Sequence, residues 1–212
     1  MCREGWNTPM TNSQEPQNKH RNDIYGDDIA NREGGNPAIP AATVVLLRDD
    51  PAGAGIEVLM LHKASQIAFG GMWVFPGGRI DAEDHPADGN VDAAARNAAV
   101  RETQEEVGIT PHGVQLRGEL HFQFVDGYSL HCTVFTADSF SGTLIETDEA
   151  LPIWTAIDAI PYHEMWADDI HWLPGVIEGG SFRAYFHFDG DTMLSKAVHW
   201  HPHASFTASC EI

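Results

Sequence analysis

Three glutamates with the spacing of one helical face stand in the segment Arg101 to Ile109, which reads RETQEEVGI. Glu102, Glu105 and Glu106 are related by i, i+3 and i+4, so in a helix their carboxylates lie side by side. Like charges placed in this way repel one another and weaken a helix by roughly a few tenths of a kcal/mol per pair. A hard divalent cation would offset that repulsion. Spacing alone also fits a solvated acidic stripe.

A glycine turn upstream of the glutamates favours the cation. The segment 75–81, FPGGRID, leaves a short apolar strand through a glycine pair, which can bring backbone carbonyls close to an ion. Gly-Gly-Arg, then an alanine-rich helix, then Arg-Glu-x-x-Glu-Glu-x-Gly resembles the Nudix box, G-x5-E-x7-R-E-U-x-E-E-x-G-U, where U is a bulky apolar residue. The chain is therefore identified, by resemblance, as a Nudix hydrolase. This family splits nucleoside diphosphates linked to another group, generally by attack of water on phosphorus.

The resemblance implies a ligand set for Mg²⁺ or Mn²⁺. Glu105 and Glu106 would hold the ion and be catalytic, helped by Glu102 and the carbonyl of Gly77. Arg101 would be structural, because its guanidinium fork suits the carboxylates that it orients. Two further positions match the glycines that open and close the box, namely Gly78 and Gly108.

The box departs from the family pattern in two places. Thr103 stands where the family prefers an aliphatic residue. Arg101 follows Gly78 by 23 positions instead of 14, so nine residues are extra, and they fall in the turn-rich stretch 81–90, where a loop lengthens at little cost. The insertion leaves two candidates for the first glutamate of the box: Asp84 keeps the spacing and Glu83 has the matching side chain.

The C-terminal half carries a second resemblance. The run 165–174, MWADDIHWLP, is similar to the Nudix branch that hydrolyses oxidised purine nucleoside triphosphates. It implies that Trp166 stacks on the base, at about 1–3 kcal/mol, while Asp168 and Asp169 hydrogen-bond its edge. When two adjacent carboxyl groups are partly buried, the pKa of at least one of them rises. One group can then stay protonated and donate a hydrogen bond while the other accepts. Without the resemblance, a helix with Trp166 and Trp172 in the core and exposed aspartates fits the same letters.

Two more residues are candidates at the phosphates. Glu149 matches an acidic residue that approaches the metals in the same branch, which implies a general base or an extra ligand; Asp148 and Glu146 are the alternatives. Arg79 follows the glycine pair and is placed to contact phosphate, although a solvent-facing arginine is equally consistent with the sequence.

The substrate stays open among three hypotheses. The first is a metal-dependent hydrolase of oxidised purine nucleotides such as 8-oxo-dGTP. However, Trp73 is followed by Val74 where that branch has an asparagine, and the segment 65–78 resembles the coenzyme A diphosphatases. The second is therefore a coenzyme A or nucleotide-sugar diphosphatase. The third, an inactive ligand-sensing module, is disfavoured by the intact Arg-Glu-x-x-Glu-Glu.

Composition predicts a cytoplasmic enzyme. The chain has 212 residues, 42% of them hydrophobic, and a formal net charge of −19. A chain this acidic is expected to bind neither nucleic acid nor an anionic membrane, because both require a positively charged surface. The expected partner is a small nucleotide-type substrate. The three cysteines lack disulfide or metal spacing, which favours a reducing compartment, and no apolar run is long enough to span a membrane. Oligomeric state is not specified.

The elements predict a Nudix-type α/β/α sandwich, with a mixed β-sheet between helices. We expect a disordered or loosely attached arm at 1–38, a Nudix hydrolase domain at 39–198 and a mobile tail at 199–212. Helices are predicted at 93–107, capped by Asp92, and at 165–178. Histidines 121, 131 and 187 are interpreted as polar-face strand residues. Strands are predicted at 42–47, 57–62, 72–75, 115–125, 130–136, 151–157 and 182–188.

Overall fold

The computed structural model describes residues 37–53, 55–64 and 71–201. Three short 3-10 turns lie at Ala82–Asp84, Ile157–Ala159 and Tyr162–Glu164. Most of the predicted N-terminal arm and residues 202–212 of the predicted tail fall outside these ranges. The helices are α1 (Val91–Val107) and α2 (Asp169–Ile177), and the strands are β1 (Ile39–Asp49), β2 (Ile56–Lys63), β3 (Trp73–Val74), β4 (Gly77–Arg79), β5 (Ile109–His112), β6 (Gln115–Phe124), β7 (Ser129–Ala137), β8 (Ser139–Gly142), β9 (Ala150–Ala156), β10 (Ser181–Asp189) and β11 (Thr192–His201).

One mixed sheet organises the chain. Its strand order is β11-β10-β6-β7-β1-β2-β3, with β4 added to β1 and β9 added to β2. The β1–β7 and β10–β6 pairs are parallel and the other pairs are antiparallel. β5 and β8 form a separate two-stranded sheet. β1 thus contacts β2, β4 and β7 and lies at the centre of the fold.

The two helices cover opposite faces of the sheet. Along β1, Val44 and Leu46 point to a core that includes the small residues Ala95, Ala98 and Ala99 of α1. Val45 points the other way, into the core that contains Trp172 and Leu173 of α2. This period of two places one hydrophobic core on each face. The predicted α/β/α sandwich is confirmed.

Helix α1 begins and ends through its caps. It starts at Val91, two residues before the prediction, because the side chain of Asn90, not Asp92, accepts a hydrogen bond from the Ala93 amide at 3.0 Å. It ends at Gly108, whose φ of 76° suits glycine. Thr103 is fully buried, and its hydroxyl donates to the Ala99 carbonyl at 2.7 Å, which satisfies a polar group at an aliphatic position of the box.

Helix α2 is shorter than predicted. Met165 has extended backbone (φ −113°, ψ 175°), and the helix starts only at Asp169. Trp166 and Asp168 therefore lie in the approach to the helix and not within it. None of the helices in the described ranges combines the length and apolar character that crossing a bilayer requires.

The last described strand corrects the predicted tail. β11 runs to His201 and pairs with β10, with Trp200 opposite Phe182. The indole of Trp200 packs over Gly175 and Gly180, where an added Cβ would lie 2.2 Å and 3.0 Å from ring atoms. His199 and His201 are thus strand residues and not the start of a mobile tail.

Candidate active site

Strand β4 brings the glycine pair against both β1 and α1. Gly77, Gly78 and Arg79 pair with residues 41–43 of β1. A Cβ added at Gly77 would lie 2.4 Å from the Ala42 carbonyl oxygen, and one added at Gly78 would lie 2.3 Å from the Glu102 carboxyl carbon. Glycine is required at both positions because a larger residue would displace the strand or the first box glutamate on α1.

Glu106 is the most buried of the three glutamates on α1, with 9% of its side chain exposed. Its Oε2 accepts a hydrogen bond from the Gly77 amide at 3.0 Å, and its Oε1 pairs with the Lys63 ammonium at the end of β2. Burial raises the pKa of Glu106, and the nearby charge of Glu149 adds to this rise. The Lys63 ammonium and the Gly77 amide act in the opposite direction. Glu149, itself exposed, thus lies close enough to Glu106 to affect its ionisation.

Arg101 joins four parts of the site. Its Nη1 donates to Glu102 Oε1 at 2.9 Å and to Glu105 Oε2 at 3.1 Å, and its Nη2 donates to the Arg79 carbonyl at 3.1 Å. Nε and Nη2 also donate to the two carboxylate oxygens of Asp84, at 3.0 and 2.8 Å. These carboxylates raise the pKa of Arg101, and the guanidinium holds the pKa of Asp84 below its ordinary value.

Of the two candidates for the first acidic residue of the box, Asp84, and not Glu83, is buried against Arg101. Asp84 is 4% exposed, whereas the side chain of Glu83 is 74% exposed and its carboxylate lies 3.8 Å from Arg101. The Asp81 amide donates to Asp84 Oδ2 at 2.8 Å and closes the 3-10 turn. The inserted residues then loop outward, largely exposed, from His85 to the cap of α1. The inserted stretch therefore begins with an acid that holds Arg101 and continues as an exposed connection to α1.

The donor set fits a divalent cation of the Mg²⁺ type. Glu102, Glu105 and Glu106 offer carboxylate oxygens on one side of α1, and burial raises the pKa of both Glu102 and Glu106. Two cations, Arg101 and Lys63, at present neutralise these carboxylates. Oxygen donors and a concentration of negative charge are what Mg²⁺ and Mn²⁺ prefer. Sequence reasoning missed Lys63, since no local pattern links it to Glu106.

The two aspartates at the start of α2 are buried on the opposite face of the sheet. Asp168 is 2% exposed and Asp169 is 8% exposed. Asp168 Oδ2 accepts a hydrogen bond from the Trp172 indole at 3.1 Å, whereas its buried Oδ1 has no partner among the described residues. Burial raises the pKa of Asp168 to about 6 and, together with the charge of Asp168, raises that of Asp169 well above its ordinary value. The alternative with exposed aspartates is wrong.

Aromatic and polar groups surround this pair. Trp166 is half-buried, and its ring meets those of Phe124 and Phe188 edge-on, at 6.4 and 5.5 Å between centroids. Burial, and then the charge of both aspartates, raises the pKa of Cys132 on β7. Burial, and then the charge of Asp169, raises the pKa of Tyr162. Trp172, by contrast, is a fully buried core residue, stacked on Phe182 at 5.6 Å.

The structure thus gathers the predicted residues into two groups on opposite sides of the sheet. On the α1 side lie the acidic cradle (Glu102, Glu105 and Glu106) and the contacts that hold it. On the α2 side lies the aspartate pair with Trp166. Arg79 is half-buried, and its carbonyl is bound by Arg101. Val74 packs against the α1-side core, as an apolar residue should.

Comparison with known proteins identifies the family. The NUDIX domain model matches residues 37–176. The chain is 34% identical over 125 residues to the oxidized purine nucleoside triphosphate hydrolase of Danio rerio, which covers 58% of this chain and 74% of that protein. The enzyme of the same name from Mus musculus is 33% identical over 130 residues, covering 60% and 78%.

A solved structure agrees on the fold. The MutT protein of Bacillus halodurans superposes with a TM-score of 0.59 at 23% identity, and the match covers 76% of this chain and 97% of that one. The likeness of the first half to coenzyme A diphosphatases stays a prediction. Because the family model spans the glycine pair, the acidic cradle and the aspartate pair together, the chain belongs to the Nudix family and is a Nudix pyrophosphohydrolase.

Proposed function

We propose that the chain hydrolyses oxidised purine nucleoside triphosphates, such as 8-oxo-dGTP, by attack of water on a phosphoanhydride. The observation that carries the proposal is the buried pair Asp168 and Asp169, beside Trp166. Relatives at 33–34% identity are named for the same substrate class, which supports it.

The aspartate pair suits a base edge because its two members ionise differently. Near neutral pH, the carboxyl with the higher pKa keeps its proton and donates, while the other accepts. A pair that can exchange this proton matches more than one arrangement of donors and acceptors, as the edges of modified guanine and adenine require. Asp168 Oδ1 has no hydrogen-bond partner among the residues that the structure describes, which leaves an acceptor for a ligand. Trp166 would offer a stacking surface for the base.

The acidic cradle would hold the phosphate end of the substrate. Nudix enzymes generally use divalent metal, and here Glu102, Glu105 and Glu106, with the Gly77 carbonyl, would hold Mg²⁺ or Mn²⁺. When bound, the ion neutralises the pyrophosphate and lowers the pKa of bound water. Arg101 keeps the glutamates in place, and Lys63 must give up Glu106. Glu149 would accept the proton of the attacking water as general base or would add a ligand, and Arg79 would contact phosphate.

Val74 limits the expected preference for the oxidised base. A valine side chain has no hydrogen-bonding group, so it offers none to an oxidised base atom. The aspartates would then carry recognition of the base edge, and we expect a modest preference for 8-oxo-dGTP over dGTP.

Product analysis tests the proposal. The full chain is assayed with Mg²⁺ against 8-oxo-dGTP, 2-hydroxy-dATP, dGTP, coenzyme A, NADH and ADP-ribose. We expect the highest kcat/KM for a modified purine triphosphate. Glu106→Gln should lose that activity, and Glu178→Gln should keep it, because Glu178 is an exposed glutamate at the C-terminal end of α2. Trp166→Ala should raise KM more than it lowers kcat. Highest activity on coenzyme A, with release of 4′-phosphopantetheine, would replace this function by the second hypothesis.

A further inference from the structure

A cluster of metal-ligating side chains lies outside the proposed active site. Glu119 and His121 stand on β6, and His131 stands on β7 directly opposite His121. The three residues offer ligand atoms that all lie within 4.8 Å of one another. Among the described residues, this is the one group of three or more His, Cys, Asp and Glu side chains whose ligand atoms come within that distance.

Each of the two imidazoles has a buried ring nitrogen without a hydrogen-bond partner among the described residues. Their rings stack with centroids 4.4 Å apart and planes 8° apart. The in-plane lone pairs therefore lie in parallel planes, and one ring must turn for both to bind the same ion. The Nε2 atoms of both His121 and His131 are buried and lack a hydrogen-bond partner among the described residues. The separation of 3.6 Å between His121 Nε2 and Glu119 Oε2 is too long for a hydrogen bond. It is close to the ~3.3 Å between ligands that bonds of about 2.0–2.1 Å give in a tetrahedral zinc site.

Neighbouring side chains orient the cluster as outer partners of a metal site do. Arg183 on β10 donates through Nε to Glu119 Oε2 at 2.7 Å and fixes the carboxylate. The ring of Tyr185 stacks on His121 at 4.7 Å and fixes the imidazole. Such partners set ligand orientation, and their loss costs metal affinity about tenfold to a hundredfold. The charge of Arg183 opposes a cation, so the site should bind less tightly than the same ligands alone.

The cluster is separate from the acidic cradle. His131 is in register with Pro40 of β1, and β1 lies between β7 and β4. Two strand spacings of about 4.8 Å place β7 roughly 10 Å from the strand that carries Gly78. The donor types differ as well, since imidazole favours Zn²⁺ and related transition metals, whereas carboxylate and carbonyl oxygen favour Mg²⁺.

We propose that Glu119, His121 and His131 form a binding site for a transition-metal dication such as Zn²⁺, distinct from the Mg²⁺ or Mn²⁺ site of the Nudix box. Three protein ligands leave a fourth position for water.

Cobalt titration tests this site. The full chain is stripped with a chelator, supplied with excess Mg²⁺ to occupy the box, and titrated with Co²⁺ as a spectroscopic substitute for Zn²⁺. We expect a Co²⁺ equivalent with visible d–d absorption. His121→Gln and His131→Gln should each weaken its binding at least tenfold. His163→Gln, whose side chain is 80% exposed and outside the cluster, should bind as the wild type does.

A ligand exchange gives a readout that depends on coordination itself. His121→Cys should keep the Co²⁺ equivalent and add a thiolate-to-cobalt charge-transfer band in the near ultraviolet, which the wild type lacks. This band decides the matter even if a glutamine variant fails to fold. Any of three results overturns the proposal. The wild type binds no Co²⁺ in excess Mg²⁺, or both glutamine variants bind Co²⁺ as tightly as His163→Gln does, or His121→Cys gives no new band.

Discussion

Asp84 and Arg101 form a two-point ion pair, with Nε–Oδ1 and Nη2–Oδ2 distances of 3.0 and 2.8 Å. The same guanidinium holds Glu102 and Glu105, so the acid in the 3-10 turn indirectly positions the cradle. The pair is largely removed from water, which makes it sensitive to the loss of either partner.

Asp84→Asn should lower the free energy of unfolding by about 2–4 kcal/mol, because it removes the most buried of the carboxylates that neutralise the Arg101 guanidinium. Urea denaturation at pH 7 measures the change. Glu83→Gln is the matched control and should stay within about 0.5 kcal/mol of the wild type, since Glu83 is solvent-exposed. Equal effects of the two substitutions would contradict the assignment of Asp84.

Gly78→Ala should reduce catalysis, because the new Cβ would occupy the place of the Glu102 carboxyl group. We expect kcat/KM to fall at least about tenfold, equivalent to 1.4 kcal/mol, and the half-saturating Mg²⁺ concentration to rise. Gly55→Ala is the control, since nothing lies within 4 Å of its added Cβ. Full activity of Gly78→Ala would show that Glu102 has no role at the metal.

Lys63→Met should lower the half-saturating Mg²⁺ concentration by about fivefold to tenfold, because it removes a cation that competes for Glu106. The Mg²⁺ dependence of the initial rate measures this effect. Lys196→Met, in which the lost ammonium contacts His171 on the surface, should leave the Mg²⁺ dependence unchanged. A higher Mg²⁺ requirement in Lys63→Met would mean that Lys63 supports the ion instead of competing with it.

Asp168→Asn should stabilise the fold at high pH. The pKa of Asp168 is raised from 3.8 to about 6 on folding, so the wild type loses stability as the pH rises between these values. At pH 8 we expect the variant to be more stable by about 1–3 kcal/mol, and at pH 4 by little. The amide oxygen can still accept the Trp172 hydrogen bond.

Urea denaturation at the two pH values checks this sign. The exposed Asp158 provides the control, because Asp158→Asn should give the same small change at both. A stability difference between Asp168→Asn and the wild type that does not grow with pH would show that folding does not raise the pKa of Asp168.

The residues of the box could be predicted from sequence because their chemistry depends on local helical spacing. The choice between Glu83 and Asp84 could not, since it is decided by which side chain the turn buries. The Lys63–Glu106 pair joins β2 to α1 and depends on long-range packing, which no local pattern encodes.

The missed elements have similar causes. β11 is largely exposed on both faces, so it lacks the apolar alternation by which strands are recognised. The sequence predicts too long a helix α2 because apolar residues continue upstream to Met165. Met165 is buried, but its backbone is extended and not helical. The burial of the aspartate pair depends on tertiary packing, which places both carboxyl groups close enough to Cys132 of β7 to affect its ionisation.

The parallel pairing of β1 with β7 has a consequence for biosynthesis. Ile39 pairs with Leu130, so the ribosome makes the whole box before it makes the strand that completes the support of β1. Parallel pairs between such distant segments close long loops and form slowly. A nascent chain that stalls between the box and β7 would therefore carry every cradle ligand and strands β1 to β4, but it would lack the later strands that complete the sheet around β1.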